Sequence, residues 1–207
     1  MLPQAFWISL RVLFFRSGPE DLPYDNGRVL SFACIAFGIL ANSAVAMVSA
    51  QGALETHTLK AMPPFAYILV VGVAAVLAMG LFTRIALQAR QLNNRFQQTF
   101  NALLMTSSIL SLVMVPLMQL IIPLLPLFEK LQAHPELAND PAIVAAVPAS
   151  SLLLTFPLFC LLIWQFAVTA FIYRRAANVR TGGGILIALL CVFSIASFKS
   201  LFSLLFL

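Results

Sequence analysis

Two histidines, three cysteines and seven carboxylates carry most of the metal-ligating or nucleophilic chemistry available to this chain. His57 follows Glu55, and His134 precedes Glu136 and Asp140. A zinc site needs three or four converging ligands at characteristic spacings. One histidine and two acids around Pro135 and Pro141 do not supply that spacing, and nothing in the sequence brings Glu55 and His57 to them. Cys34, Cys160 and Cys191 stand singly in apolar runs with no CxxC pair, so they read as small buried hydrophobes. The sequence holds no HExxH, GxSxG, Walker loop or Rossmann fingerprint. These residues predict no catalytic residue, no metal ligand, no cofactor and no enzyme.

Polar side chains inside apolar segments are the other source of chemistry. At 100° per residue, Ser31, Gly38, Asn42 and Ser49 fall within about 40° on one helix face. On the same arithmetic Asn101, Ser108 and Gln119 fall within about 20°. Gln165 and Thr169 are spaced i, i+4. Such faces let helices approach and hydrogen-bond across, or line a polar groove. Lys199 is the single cation inside an apolar run, about 22 Å along its helix from Gly184. At that depth it can snorkel to the outer interface.

The elements that would position these residues follow from composition. Apolar residues make up 61% of the 207 and charged residues 9%, against about 45–50% and about 25% in an average soluble domain. Mean hydropathy is +0.98. A soluble fold could not hide this surface. A crossing helix needs about 20 mostly apolar residues, and five segments qualify: about 29–50, 64–87, 99–128, 150–173 and 184–207. The third carries Pro116, Pro123 and Pro126, and its 30 residues are too few for two crossings. Pro157 predicts a kink in the fourth. The expectation is an all-α polytopic bundle of five spans over residues 29–207, preceded by an N-terminal segment over 1–28.

Charge sets the orientation. All nine arginines fall on one side of this arrangement, and only Lys60 and Lys130 fall on the other. By the positive-inside rule the N-terminus is cytoplasmic and the C-terminus outside. The net charge of +5 is thereby explained by topology, and no nucleic-acid partner is expected. No cleavable signal is visible, so the first span serves as the insertion signal.

Three segments on the inner side stand out. Residues 3–15, PQAFWISLRVLFF, predict an interfacial helix with Phe6, Trp7, Phe14 and Phe15 at headgroup level. Packing against the bundle is the alternative. Residues 16–28, RSGPEDLPYDNGR, gather Glu20, Asp21 and Asp25, a candidate docking epitope or else a folded linker whose acids pair with Arg84, Arg90 or Arg95. Residues 174–184, RRAANVRTGGG, predict a glycine hinge. Its amides, with Arg174, Arg175 and Arg180, are candidates for holding a lipid headgroup. The plainer alternative is a turn whose arginines only set topology.

GPEDLPYD at 18–25, followed by five close-set spans with short loops, resembles the Yip1-type membrane proteins, and in compactness their small bacterial members. The resemblance implies a five-span helical fold and non-enzymatic work through protein partners, which the eukaryotic members perform in membrane traffic. It carries over no site residue. The expectation is a scaffold or assembly partner in the cell membrane, with the bacterial inner membrane as its place. Its partners would be the bilayer and either another protein or a second copy of itself. The second expectation is a small transporter or lipid-handling protein using the polar faces of spans one and three.

Overall fold

Helices that are apolar on every side bury their surface in lipid as well as in one another, and they must satisfy their backbone internally. The computed structural model describes residues 2–23, 28–134 and 149–205, with side chains described as far as 134 and over 155–201. The described chain is an all-α bundle. The helices are α1 (Leu2–Leu13), α2 (Val29–Glu55), α3 (Phe65–Gln88), α4 (Phe96–Ile121), α5 (Leu125–Ala133), α6 (Ala149–Ala176) and α7 (Thr181–Leu205). Five helical segments are long and apolar enough to cross a membrane: α2, α3, the α4–α5 stretch, α6 and α7. The 27 residues of α2 extend about 40 Å, more than the ~30 Å hydrocarbon core requires. The protein is a multi-pass membrane protein.

The helices close into a ring, in which α2 packs on α3 and α4, α6 on α4 and α7, and α7 on α3. Three cross-contacts fix their directions. Asn101 at the start of α4 meets Ser31 at the start of α2. Thr83 near the end of α3 meets Tyr173 near the end of α6. Arg95, just before α4, reaches the last carbonyls of α6. The starts of α2, α4 and α7 therefore share one end with the finishes of α3 and α6. Arg28, Arg84, Arg90, Arg95, Arg174, Arg175 and Arg180 collect there, and Lys60 and Lys130 lie toward the other end.

Close approach is built on small residues. A Cβ added at Gly72 of α3 would collide with Ser43 Oγ and come 2.7 Å from the Ile39 carbonyl oxygen of α2. A Cβ at Gly38 would come 2.8 Å from Leu104 of α4. The main core cluster gathers Leu103 and Leu110 of α4, Val168 and Tyr173 of α6, Cys191 of α7 and Val12 and Leu13 of α1.

The N-terminal helix does more than lie on a surface. Ala5, Ser9, Val12 and Leu13 are buried, while Phe6, Trp7 and Phe14 remain exposed. The buried stripe seats α1 on α4, and its C-terminal end meets α6, where Trp164 Nε1 donates to the Leu13 carbonyl at 3.1 Å. Trp164 lies about 15 Å along α6 from Arg174. The buried stripe is what packing against the bundle, the alternative to an interfacial helix, calls for.

Helix ends depart from expectation in an instructive way. Phe15, His57, Gln91 and Asn178 adopt positive φ values of 58°, 55°, 58° and 50°. Each follows a helix and is closed by a six-to-one backbone bond, such as Arg16 N–H to Arg11 O and Val179 N–H to Arg174 O. These are Schellman closures, which usually take glycine. The expected glycine hinge at 182–184 is corrected accordingly: the turn is made by Asn178, and the glycines lie in the first turn of α7. Gly184 is there for contact, since a Cβ on it would come 2.7 Å from Ala170 O and 2.8 Å from Arg174 Cβ. The third span covers its expected limits but is interrupted within them. Helix α4 continues through Pro116, breaks into a 3-10 turn at Ile122–Leu124 around Pro123, and restarts as α5 with Pro126 in its first turn, where a proline is tolerated.

Candidate functional site

The arginine end holds the most strongly charged concavity. Glu20, Arg95, Arg174, Arg175, Asn178, Val179, Arg180 and Thr181 line a cavity of about 480 Å³. Four guanidinium groups face one carboxylate. Each arrives for a local reason. Arg174 and Arg175 are on the last turn of α6, where cations complement the helix dipole. The Asn178 closure then carries the chain to Arg180 and the start of α7. Arg95 precedes α4 and donates to the Arg175 and Ala176 carbonyls at 3.3 and 3.4 Å, capping α6. Arg175 pairs with Glu20 at 2.6 Å, both side chains being about half exposed. The Arg174 guanidinium lies 5.2 Å from the centre of the Phe171 ring. No described carboxylate pairs with Arg174 or Arg180.

A second, apolar cavity of about 500 Å³ adjoins the first. Phe15, Ile163, Phe166, Ala167, Ala170, Phe171 and Ile185 line it, and Arg174 and Thr181 belong to both walls. Arg174 and Thr181 thus stand between a basic chamber and an apolar groove lined by α6 and α7. The first turn of α7 borders the junction. Gly182 there has open space around it, and the N–H groups of a helix's first turn lack intrahelical partners. Arginine forks plus such amides suit a phosphate or a carboxylate.

The N-terminal motif supplies one wall. Asp21 Oδ2 accepts from the Gly18 N–H at 2.9 Å, and Gln98 Nε2 donates to the Glu20 and Leu22 carbonyls at 3.3 and 2.9 Å. Leu22 is buried. Glu20 and Asp21 thus sit in a folded linker, and the partner of Glu20 is Arg175 where Arg84, Arg90 or Arg95 was expected. Asp25 lies outside the described residues, as do Glu136 and Asp140. Among the described residues no group of three His, Cys, Asp or Glu side chains converges.

The polar faces of the first and third spans meet at one point. Ser31 Oγ accepts from Asn101 Nδ2 at 3.1 Å and from Gln97 Nε2 at 3.0 Å. Asn42 Nδ2 instead donates to Gly38 O within its own helix at 2.9 Å. Ser108 is buried on α4, while Gln119, past Pro116, is exposed. Among the described residues, Ser43 Oγ, Asn101 Oδ1 and Ser108 Oγ are buried without a partner. Gln165 is half-buried, and its carbonyl accepts from Thr169 Oγ1 at 2.8 Å. Lys199 lies at the far end of the bundle, in the wall of a separate cavity.

Composition and spacing did not point to one buried node. Tyr173 is fully buried, and its hydroxyl lies 2.8 Å from Thr83 Oγ1 and 3.3 Å from Cys191 Sγ, joining α6 to α3 and α7. Cys34 and Cys191 are buried as expected, but Cys160 is exposed on the outward face of α6, a lipid-facing place that costs an apolar thiol nothing. Comparison with protein families, curated proteins and solved structures returns no match.

Proposed function

We propose that this is a non-enzymatic multi-pass membrane scaffold that holds the head of an anionic lipid at its arginine end, N-terminus in the cytoplasm and C-terminus outside. The observation that carries the reading is the basic chamber of Arg95, Arg174, Arg175 and Arg180, joined through Arg174 and Thr181 to an apolar groove. A phosphate-bearing head and an acyl chain match those two environments in that order. Arginine is well suited to the head because its planar fork binds phosphate oxygens in pairs. The concentration of arginines at this end supports its placement in the inner leaflet, whose anionic lipids attract such clusters. The resemblance to Yip1-type proteins supports a role exercised through binding partners, with the bacterial inner membrane as the setting.

The transport reading would use the seam between α2 and α4, where Gln97 and Asn101 both donate to Ser31 and Asn101 Oδ1 keeps no partner among the described residues. The test is purification in mild detergent followed by mass spectrometry of both lipids and proteins. Retention of an anionic phospholipid, reduced by Arg174→Gln with Arg180→Gln, supports the reading. Equal retention of zwitterionic lipid by the wild type and the variant overturns it. A stoichiometric protein partner would name the assembly being scaffolded.

A further inference from the structure

At the end of the bundle opposite the arginines, the last third of α2, the 56–64 connection, the start of α3 and the last third of α7 surround a cavity of about 710 Å³. Its walls are mostly small and apolar, with Ala46, Ala50 and Ala53 on α2 and Val71 on α3. Ser49, Tyr67 and Ser200 are the polar hydroxyls among the lining residues, and Lys199 is the single charged one. Lys199 is half-buried, and no described carboxylate pairs with it. Along α2 the lining runs from Val45 to Ala53, about 12 Å of helix. The volume falls within the range of about 300–1,000 Å³ typical of small-molecule sites.

An ionisable side chain at membrane depth calls for a counter-charge or a route to water. Here the cation stands in the wall of an apolar chamber. We infer that this chamber binds a single-chain anionic amphiphile, a fatty-acid-like carboxylate, with its head on Lys199 and its tail along the alanine face of α2. The charge selects an anionic head. The ~12 Å run of small residues accommodates one medium-length chain. Helix α2 presents Ala46, Ala50 and Ala53 at the i, i+4 and i+7 spacing that forms a smooth strip on one side. This site is independent of the arginine chamber, sharing no lining residue with it.

The test uses the full chain in phosphatidylcholine nanodiscs, titrated with dodecanoate, dodecanol and phosphatidylglycerol. Binding and thermal unfolding are both read. Dodecanoate is expected to bind saturably and to raise Tm. Lys199→Met is expected to weaken it roughly tenfold or more, the loss of a hydrogen bond to a charged group. Lys199→Arg should retain binding. Ala50→Phe should abolish it by filling the chamber. Should Lys199→Met fail to fold, the Lys199→Arg and Ala50→Phe pair still decides the matter. Equal binding of dodecanol, or dodecanoate binding unaffected by Ala50→Phe, overturns the proposal. So does Lys199-dependent occupancy by phosphatidylglycerol in place of dodecanoate.

Discussion

The Glu20 carboxylate lies 2.6 Å from the Arg175 guanidinium, so the one acid among the described lining residues of the basic chamber is held by one of its four arginines. Both side chains are about half exposed, and a pair in such a position contributes on the order of 0–1 kcal/mol. Its consequence is placement. The pair fastens the 3-10 turn Pro19–Asp21 to the end of α6 and lowers the positive charge left for an incoming anion.

Glu20→Gln therefore separates stability from binding. Unfolding should change by less than about 1 kcal/mol. Affinity for an anionic headgroup should rise by up to about fivefold as Arg175 is released. Lipid titration of the variant beside the wild type measures both, and a fall in affinity would show that Glu20 itself contacts the lipid.

The Tyr173 node should be felt throughout three helices. Tyr173→Phe leaves Thr83 Oγ1 its bond to the Met79 carbonyl at 2.7 Å, so the loss should be about 1 kcal/mol. Thr83→Val should cost a similar amount. The double variant should cost less than the sum, because both substitutions remove the same 2.8 Å contact. Unfolding in detergent for the four proteins of this cycle checks the coupling.

Asn42 and Asn101 should behave oppositely although both are asparagines in apolar helices. Asn42 bonds within its own helix, so Asn42→Leu should be nearly neutral. Asn101 is buried and bridges to Ser31, so Asn101→Leu should cost about 1 kcal/mol for the lost bridge, Ser31 keeping Gln97 as its donor. Equal destabilisation by the two changes would show that the α2–α4 seam is not where the polar contact matters.

Glycine substitutions discriminate close packing from open surface. Gly72→Ala drives a methyl group into Ser43 and the α2 backbone and should cost about 1–3 kcal/mol. Gly182→Ala meets nothing within 4 Å, and with its better helix propensity it should be neutral or slightly stabilising. Thermal unfolding of the two single variants is sufficient to compare them.

The span count was legible because five long apolar segments separated by short polar loops admit few alternatives, and the arginine bias agreed with that alternation. Helix ends were less so. The described residues at positive φ that close a helix are Phe15, His57, Gln91 and Asn178, of which only asparagine carries a left-handed signal, whereas Gly182–Gly184, which looks like a turn, is helix. The arginine chamber was half visible. Arg174, Arg175 and Arg180 stand together in the chain, but Arg95 and Glu20 reach them only through folding. Angular arithmetic placed Asn101, Ser108 and Gln119 on one stripe. Pro116 stands between the first two and the third, and only the first two are buried. The Lys199 chamber depends on α2, α3 and α7 converging, which no local pattern encodes.

The central claim is that the arginine end selects an anionic lipid head. Native mass spectrometry of the protein released from mixed phosphatidylglycerol and phosphatidylcholine nanodiscs measures that selection directly. The account predicts saturable retention of phosphatidylglycerol over phosphatidylcholine. It also predicts a drop of roughly tenfold or more in the Arg174→Gln/Arg180→Gln variant, the loss expected for charge-assisted hydrogen bonds, with unfolding little changed. Equal retention of the two lipids, or selection that survives the double substitution, would contradict it.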